Sequence, residues 1–278
     1  MSDILARPRA ATPLDLDAYC ARIGYRGERA PTLAALRALN ALHPASIPFE
    51  AIDVLLGRGI DLSPAAIDAK ILVRGRGGYC FEQNGLFRRA LEGFGFAVES
   101  LAGRVRWGRG PEAPVMPRTH MVLKVDVAGE DWLADVGFGG CVPTAPLRLA
   151  ERGAQPTDHE DFRVVPHGDG GITVEASRGT WLPLYDLAFD PQYEADYEVA
   201  NWFTSTHAGS PFKQNLLVAR TTPEARYTLL DNRLTIRTAD GRSEQRMLDA
   251  DGIERTLAET FGLPVALDWW PVIERAVR

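Results

Sequence analysis

The chain has 278 residues, of which 45% are hydrophobic and 24% charged, with a formal net charge of −6. This length allows one large domain or two to three small ones with an ample core. The acidic balance argues against a general nucleic-acid or membrane-surface role, while a local basic pocket for a phosphorylated ligand stays compatible with it.

Three cysteines, Cys20, Cys80 and Cys141, bear on metal sites and on the compartment. They form no C-x-x-C pair, which disfavours a structural zinc site and a disulfide framework. Residues 1–9 hold no continuous apolar run, and no stretch is long and apolar enough to cross a bilayer. We therefore expect no metal, no signal peptide and a cytoplasmic location, where a free nucleophilic cysteine survives.

The first 95 residues or so predict helices throughout. The apolar spacing over 14–23 indicates a helix that places Cys20 in the core. A second helix begins after a Thr32 cap and is expected to end at His43-Pro44, because proline interrupts the helical hydrogen bonds. A third begins at Ser63-Pro64, with serine as the cap and proline in the first turn.

The stretch Arg76-Gly77-Gly78-Tyr79-Cys80 precedes another amphipathic helix. Apolar residues recur there at i, i+3, i+4 and i+7 from Phe87, and Gly93 and Gly95 end the pattern. Cys80 is therefore predicted in the first turn of this helix, where unpaired N–H groups and the helix dipole stabilise a thiolate. The alternative is that Cys80 is a small buried hydrophobic residue, as most free cysteines are.

After Gly95 the pattern changes to strands. Residues 97–107 are typical of a strand, and 119–127 and 130–136 alternate around an Ala128-Gly129 turn. A two-residue turn at that place makes the apolar faces coincide and predicts the pairs Val125–Trp132, Leu123–Ala134 and Met121–Val136. The same register brings His120 and Asp135 within reach of each other as diagonal neighbours. The alternative is two unrelated polar residues on a solvated sheet face.

The rest of the chain gives weaker signals. We expect loops over 151–171, with His159 and His167 on the surface, and either a helix or a loop over 201–207. Two strands, 213–220 and 226–237, and a terminal helix over 253–260 predict a small α/β unit.

A cysteine nucleophile needs a base, and the base needs a third group to hold its tautomer. Cys80, His120 and Asp135 supply these residue types in chain order. Gly137-Phe138-Gly139-Gly140 follows at once. Such a cluster serves either a loop with positive φ or close backbone approach to a phosphorylated ligand.

Several motifs in one order resemble the arylamine N-acetyltransferase family. The nucleophile motif R-G-G-aromatic-C stands at 76–80, the histidine segment at 118–121 and the D-V-G-F-G-G segment at 135–140. Further matches lie at 47–50 and 201–207. Two positions depart from the family pattern: Ala51 replaces asparagine after Pro-Phe-Glu, and Ala208 replaces proline after Ser-Thr-His.

The resemblance implies an α+β multidomain fold with a core like that of papain-like cysteine enzymes and transglutaminases. The expected domains are a helical bundle over 1–95 carrying the cysteine, a β-barrel over 96–198 carrying the histidine and aspartate, and a connecting helix with an α/β lid over 199–278. Ala51 leaves open how the loop before the site is held, and Ala208 leaves open the shape of the connecting segment.

The resemblance also implies ping-pong transfer of an acetyl group from acetyl-CoA to an arylamine or arylhydrazine through acetyl-Cys80. His120 would move the proton and Asp135 would orient it. The N–H of Phe81 is expected in the oxyanion hole. An apolar substrate pocket is expected from Phe49, Val105, Phe138 and Phe203. Gly137, Gly139 and Gly140 would let the pantetheine arm pass, and a buried pair of Glu50 and Arg76 would support the site.

Three other functions stay open at this point. One is a related amide synthase that uses another acyl donor. Another is a cysteine hydrolase or transglutaminase-like enzyme with water or lysine as acceptor, and the third is a binding protein without catalysis. The chain can be a monomer or a homo-oligomer.

Overall fold

The computed structural model describes residues 13–110, 112–168 and 170–278. The predictions for residues 1–9 therefore lie outside the described residues. The α-helices in chain order are α1 (Leu16–Ile23), α2 (Leu33–Ser46), α3 (Ile52–Leu55), α4 (Pro64–Asp68), α5 (Cys80–Gly93), α6 (Glu194–Thr206), α7 (Pro211–Gln214), α8 (Ala250–Arg255) and α9 (Trp270–Ala276). Helices α4 and α8 continue into π-turns, Ala69–Val73 and Thr256–Thr260, and a 3₁₀ turn (Leu267–Trp269) precedes α9.

The strands belong to two sheets. They are β1 (Phe49–Glu50), β2 (Ala97–Val105), β3 (Arg118–Val127), β4 (Glu130–Ala134), β5 (Leu147–Arg148), β6 (Phe162–His167), β7 (Gly171–Ser177), β8 (Trp181–Leu187), β9 (Leu217–Thr221), β10 (Ala225–Leu230), β11 (Arg233–Thr238) and β12 (Ser243–Met247).

The caps predicted at Thr32 and Ser63 are present, and Asp15 caps α1 in the same way without having been predicted. Asp15, Thr32 and Ser63 accept hydrogen bonds from the N–H three residues on, at the starts of α1, α2 and α4. The predicted end of α2 at His43-Pro44 is wrong, since the helix continues to Ser46. A proline so near the end removes a single intrahelical bond, and Ile47 N–H still bonds the His43 carbonyl at 2.8 Å.

The seven-stranded sheet has the order β5-β4-β3-β2-β8-β7-β6 and every pairing in it is antiparallel. Its two edges approach each other, with β5 against β6 and a bridge from Gln155 to Phe162, so the sheet curls into a nearly closed barrel. Strand β6 lies in the segment that was expected to be loop. Its buried positions, Phe162 and Val164, alternate correctly, but Pro166 and His167 interrupt the pattern at its end.

The β3–β4 hairpin has the predicted register: Val125 pairs with Trp132 and Leu123 with Ala134. The third predicted pair, Met121 with Val136, is absent from the ladder because β4 ends at Ala134. Asp135 therefore lies just after the end of β4 and outside the ladder, while His120 lies in the neighbouring strand β3.

A second antiparallel sheet has the order β1-β9-β10-β11-β12. The segment 226–237, predicted as one strand, is two strands, because Asp231 adopts a positive φ of 52° and turns the chain between β10 and β11. Residues 213–216 precede β9 rather than belonging to it. The first 95 residues are not all helical either, since β1 pairs with β9.

Residues 201–206 form the second half of α6, so the helical alternative for this segment is the right one and the loop begins at His207. The predicted terminal helix is present as α8 and its π-turn, and α9 follows it unpredicted. Across the ranges that the structure describes, no helix has the length and apolar character to span a bilayer.

Three hydrophobic clusters hold these parts together. The first joins the helices to β3, for example Leu36 and Phe87 to Leu123. The second fills the barrel, and the third lies between the five-stranded sheet and α8–α9. As a division into domains, we propose the expected ranges 1–95, 96–198 and 199–278.

Candidate active site

Cys80 is the first residue of α5 and only 4% of its surface is exposed. The glycines before it are needed for packing. A Cβ on Gly77 would lie 1.9 Å from the Pro48 carbonyl oxygen, and one on Gly78 would lie 2.7 Å from the Cβ of Glu82. The loop can therefore pass this closely only without side chains, and it delivers the thiol to a fixed place at the helix start.

His120 and Asp135 form the contact that the hairpin predicts. His120 Nε2 and Asp135 Oδ2 are 2.7 Å apart, and both side chains are buried. The Cys80 thiol donates to the carbonyl of Thr119, the residue before His120, at 3.5 Å. Because Nε2 of His120 faces Asp135, Nδ1 is the imidazole nitrogen left for the thiol. A thiol, an imidazole and a carboxylate thus stand in line, the arrangement that a nucleophile, its base and an orienting group require.

Asn84 holds the carboxylate in place, a role that its position in the sequence did not predict. Its amide nitrogen donates to Asp135 Oδ1 at 3.0 Å and to the Met121 carbonyl at 2.7 Å, while its oxygen accepts from Val136 N–H at 3.1 Å. The N–H of Gly137 adds a bond to Asp135 Oδ1 at 2.8 Å. Because Asn84 lies one turn after Cys80 in α5, a single helix positions both ends of the line.

The charges follow from these contacts. Burial lowers the pKa of His120, but the charge and hydrogen bond of Asp135, with Cys80, outweigh it and raise the pKa to about 10. Burial raises the pKa of Asp135, and the His120 cation, Asn84 and Gly137 overcome this and hold it below its usual range. At neutral pH the site therefore holds an imidazolium and a carboxylate, and the cation beside Cys80 stabilises a thiolate.

Aromatic rings cover the other side of His120. Ring centroids of Phe138 and Tyr185 lie 5.1 and 4.8 Å from it, and Trp107 packs edge-on against Phe138 at 6.4 Å. Burial, followed by the Asp135 charge, raises the pKa of Tyr185 far above its usual value, so the phenol stays neutral. Val105, predicted in the pocket, is paired with Tyr185 between β2 and β8. The structure thus brings Phe138 to the imidazole and places Val105 opposite Tyr185 in the sheet.

Two other predicted pocket residues lie elsewhere around the site. Phe49 is buried and packs against Phe212 at 5.9 Å, which in turn contacts Tyr79, the residue before the thiol. Phe203 is half-buried in α6 and stacks on His207 at 4.5 Å. Their binding roles stay predictions.

The glycine loop after Asp135 packs directly on the nucleophile helix. A Cβ on Gly137 would lie 2.8 Å from the Cys80 Cα, and one on Gly140 would lie 2.7 Å from the Thr228 hydroxyl oxygen. Gly139 has a φ of 73°, which favours glycine. Each glycine therefore has a packing or backbone reason of its own, and contact with coenzyme A stays a prediction. Phe81 is the second residue of α5, so its N–H has no acceptor inside the helix and is free for an oxyanion.

Five charged side chains form a buried cluster behind the first turn of α5. The predicted pair is present: Arg76 donates to both oxygens of Glu50 at 3.0 Å, and it also reaches Asp53. Lys70 bonds Glu82 at 2.8 Å and Asp53 at 3.0 Å. Asp53, Lys70, Arg76 and Glu82 also line a cavity of about 600 Å³ in which Cys80 takes no part.

His159 and His167 lie apart from this site. His159 is half-buried and its Nε2 lies 2.8 Å from the Thr222 carbonyl oxygen, so its expected place on the open surface is wrong, while His167 is exposed. Cys20 is buried in the core as predicted, and Cys141 is buried too. Among the described residues no group of three or more His, Cys, Asp and Glu side chains is arranged to hold a metal ion.

Comparison with known proteins identifies the relatives of this chain. A family model described as N-acetyltransferase matches residues 32–270. The arylamine N-acetyltransferase of Mycobacterium tuberculosis strain H37Rv is 43% identical over 256 residues, covering 91% of this chain and 90% of that protein.

Two solved structures have the same fold. That of Mycobacterium smegmatis arylamine N-acetyltransferase superposes with a TM-score of 0.90 at 42% identity, covering 95% of this chain and 99% of that one. That of the Mycobacterium marinum enzyme in complex with CoA gives 0.89 at 40% identity, covering 95% and 98%. The predicted α+β fold class is thereby confirmed, and the chain belongs to the arylamine N-acetyltransferase family.

Proposed function

We propose that this chain transfers the acetyl group of acetyl-CoA to the nitrogen of arylamines and arylhydrazines through an acetyl-Cys80 intermediate. One observation carries the proposal: the Cys80 thiol lies at a helix start beside the imidazole of His120, in a member of this family. The buried carboxylate of Asp135 holds that imidazole, with 2.7 Å between Oδ2 and Nε2. Cys80, His120 and Asp135 are the proposed catalytic residues.

In the first half-reaction the Cys80 thiolate attacks the thioester carbonyl carbon of acetyl-CoA. The new C–S bond forms and the bond to the CoA sulfur breaks, and the His120 imidazolium protonates the leaving thiolate. One thioester replaces another, so this step is nearly balanced in free energy.

In the second half-reaction the amine nitrogen attacks the acetyl-Cys80 carbonyl. The now neutral His120 takes the proton from the nitrogen, and Cys80 leaves as a thiolate. An amide replaces a thioester, which drives the reaction forward. Arylamines suit this step because their weakly basic nitrogens stay unprotonated near neutral pH.

The tetrahedral intermediate of each half-reaction carries an oxyanion. The N–H of Phe81, free at the start of α5 beside the thiol, is the proposed donor to it. Asp135, held by Asn84 and Gly137, keeps the imidazole in the orientation that serves both proton transfers.

The proposed acceptor pocket is apolar. Phe138 lies at the imidazole, Val105 beside Tyr185, and Phe49 and Phe203 complete the set. The loop with Gly137, Gly139 and Gly140 crosses the start of α5 next to the thiol, so its bare backbone is the proposed passage for the pantetheine arm. We also propose a cytoplasmic location, which suits a free nucleophilic cysteine.

Initial rates at varied donor and acceptor concentrations test the proposal. A ping-pong enzyme gives parallel double-reciprocal lines with acetyl-CoA and an arylhydrazine, and arylamine acetylation outpaces hydrolysis of acetyl-CoA. Turnover only with a carrier-bound long acyl group would favour an amide synthase. Hydrolysis faster than transfer would favour a hydrolase and refute the acetyltransferase assignment.

A further inference from the structure

The charged cluster behind α5 is joined to the nucleophile through one side chain. Glu82 lies two residues after Cys80, is 2% exposed, and accepts the Tyr79 N–H at 3.1 Å. Its carboxylate therefore occupies the same positive helix end that stabilises a thiolate at Cys80. An uncompensated negative charge at this place opposes ionisation of the thiol.

Lys70 is the cation that compensates this carboxylate. Its ammonium lies 2.8 Å from Glu82, 3.0 Å from Asp53 and 3.7 Å from Glu50. Arg76 meets only Glu50 and Asp53. The cluster thus holds three carboxylates and two buried cations, and the more exposed Arg58 reaches Asp53 at 3.6 Å from outside. Of these three cations, Lys70 is the one that reaches Glu82.

A backbone irregularity places Lys70 there. It lies in the π-turn Ala69–Val73, closed by a hydrogen bond from Arg74 N–H to the Ala69 carbonyl at 3.0 Å. The Lys70 carbonyl accepts the Arg76 N–H at 3.1 Å, which ties the turn to the start of the nucleophile loop. Such π-turns interrupt α-helices frequently at functional sites.

We propose that Lys70 is a positioning residue for catalysis, which neutralises Glu82 and so keeps the helix end favourable for the Cys80 thiolate. The proposal rests on the proposed role of Cys80 as the nucleophile. Removing the ammonium leaves the cluster with an excess negative charge two residues from the thiol. Removing the charge of Glu82 has the opposite effect, since it favours the thiolate.

The other titratable groups around Cys80 do not take over this role. His120 and Asp135 face it from the hairpin and form their own ion pair. Burial, then the Cys80 charge and Glu82, raises the pKa of Tyr79 far above its ordinary value. Burial also raises the pKa of Tyr197 on α6, so both phenols stay neutral. Burial similarly raises the pKa of Glu82, while Lys70 opposes this shift and favours the carboxylate.

The test measures alkylation of Cys80 by iodoacetamide, followed by peptide mapping, between about pH 5 and pH 9. In Lys70→Met we expect alkylation near neutral pH to slow by about tenfold or more. Lys70→Arg should restore the rate to within about threefold, since it keeps the charge. In Glu82→Gln, which keeps an acceptor for the Tyr79 N–H, alkylation at the acid end should become faster.

Lys124→Met, a change on β3 beside the exposed Glu99, is the matched control and should leave the profile in place. Glu82→Gln decides the outcome even if Lys70→Met fails to fold. A purely structural effect changes access to the buried thiol and so changes the rate at every pH, whereas a thiolate favoured by the lost charge speeds alkylation only at the acid end. An unchanged profile in folded Lys70→Met, or slower alkylation in Glu82→Gln, would overturn the proposal. Alkylation needs no acetyl-CoA, so a failure of acetyl transfer with these shifts intact would refute the proposed function alone.

Discussion

Asp135→Asn should change the charge of His120 while keeping the shape of the site. In the wild type, the carboxylate at 2.7 Å is the main partner that raises the pKa of His120 to about 10, against burial. Relative to an ordinary histidine pKa of about 6.5, this corresponds to on the order of 5 kcal/mol in favour of the imidazolium. Asparagine removes the charge and leaves the burial.

His43 shows what burial does without a carboxylate. It is fully buried between the Tyr19 hydroxyl and the Gln83 amide, and its pKa falls to about 4. Gln83 donates its amide N–H groups to the Pro48 and Gly78 carbonyls, so its oxygen accepts from His43 Nε2. We therefore expect the imidazole of His120 to be neutral at pH 7 in Asp135→Asn.

Two measurements follow this change. The ring proton shifts of the five histidines, assigned by NMR, should show His120 charged at pH 7 in the wild type and neutral in the variant. The rate of the first half-reaction, by rapid quench and mass spectrometry, should fall by about 10³-fold or more, because the base loses both its orientation and its charge.

The raised pKa of His120 should also make the unfolding free energy depend on pH. A pKa raised in the folded state contributes stability that is fully present below about pH 6.5 and is lost as pH rises through about 10. Urea unfolding should show this loss between those pH values in the wild type and not in Asp135→Asn. A variant that keeps a charged His120, or acetylates within about threefold of the wild-type rate, would refute the reasoning.

Three further predictions concern the support of the site. Arg76→Ala leaves the buried Glu50 and the partly buried Asp53 without their guanidinium and should lower the unfolding free energy by about 3–5 kcal/mol. Removing Arg29 from its exposed pair with Asp17 should cost less, because solvent screens that pair. Unchanged urea unfolding and activity in Arg76→Ala would remove the supporting role of Glu50 and Arg76. Gly137→Ala should lower both the stability and the acetylation rate, because the added Cβ meets the backbone of the nucleophile helix. Gly110→Ala is the control, since its added Cβ meets nothing within 4 Å. Equal acetylation rates in the two variants would contradict the packing role of Gly137. The wild type should lose about 3 kcal/mol of unfolding free energy as pH falls from about 6.5 to about 4, because buried His43 resists the proton that the unfolded chain takes up. In His43→Gln, the unfolding free energy measured with urea should depend less on pH over this range.

The sequence predicts the central contact of the site because that contact is local. A two-residue turn and strict alternation determine one register for the β3–β4 hairpin, and that register brings His120 to Asp135. The start of the helix at Cys80 is likewise predicted from nearby residues, namely the glycines before it and the helical spacing of apolar residues after it. In both cases the pattern lies within about 20 residues of chain.

The contacts that the sequence did not predict join distant segments. Tyr185 reaches His120 only because β8 pairs with β2 across the barrel. Lys70 enters the charged cluster because a π-turn directs it inward, and no period in the sequence marks such a turn. Strand β12 is exposed along its whole length, so it has no buried face to produce alternation.

The most direct measurement is intact mass with peptide mapping after incubation with acetyl-CoA and no amine. We expect one acetyl group, on Cys80, that is discharged when an arylhydrazine is added, and no adduct in Cys80→Ser. No acetyl group on a folded protein, or an acetyl group that stays on another residue, would contradict the account.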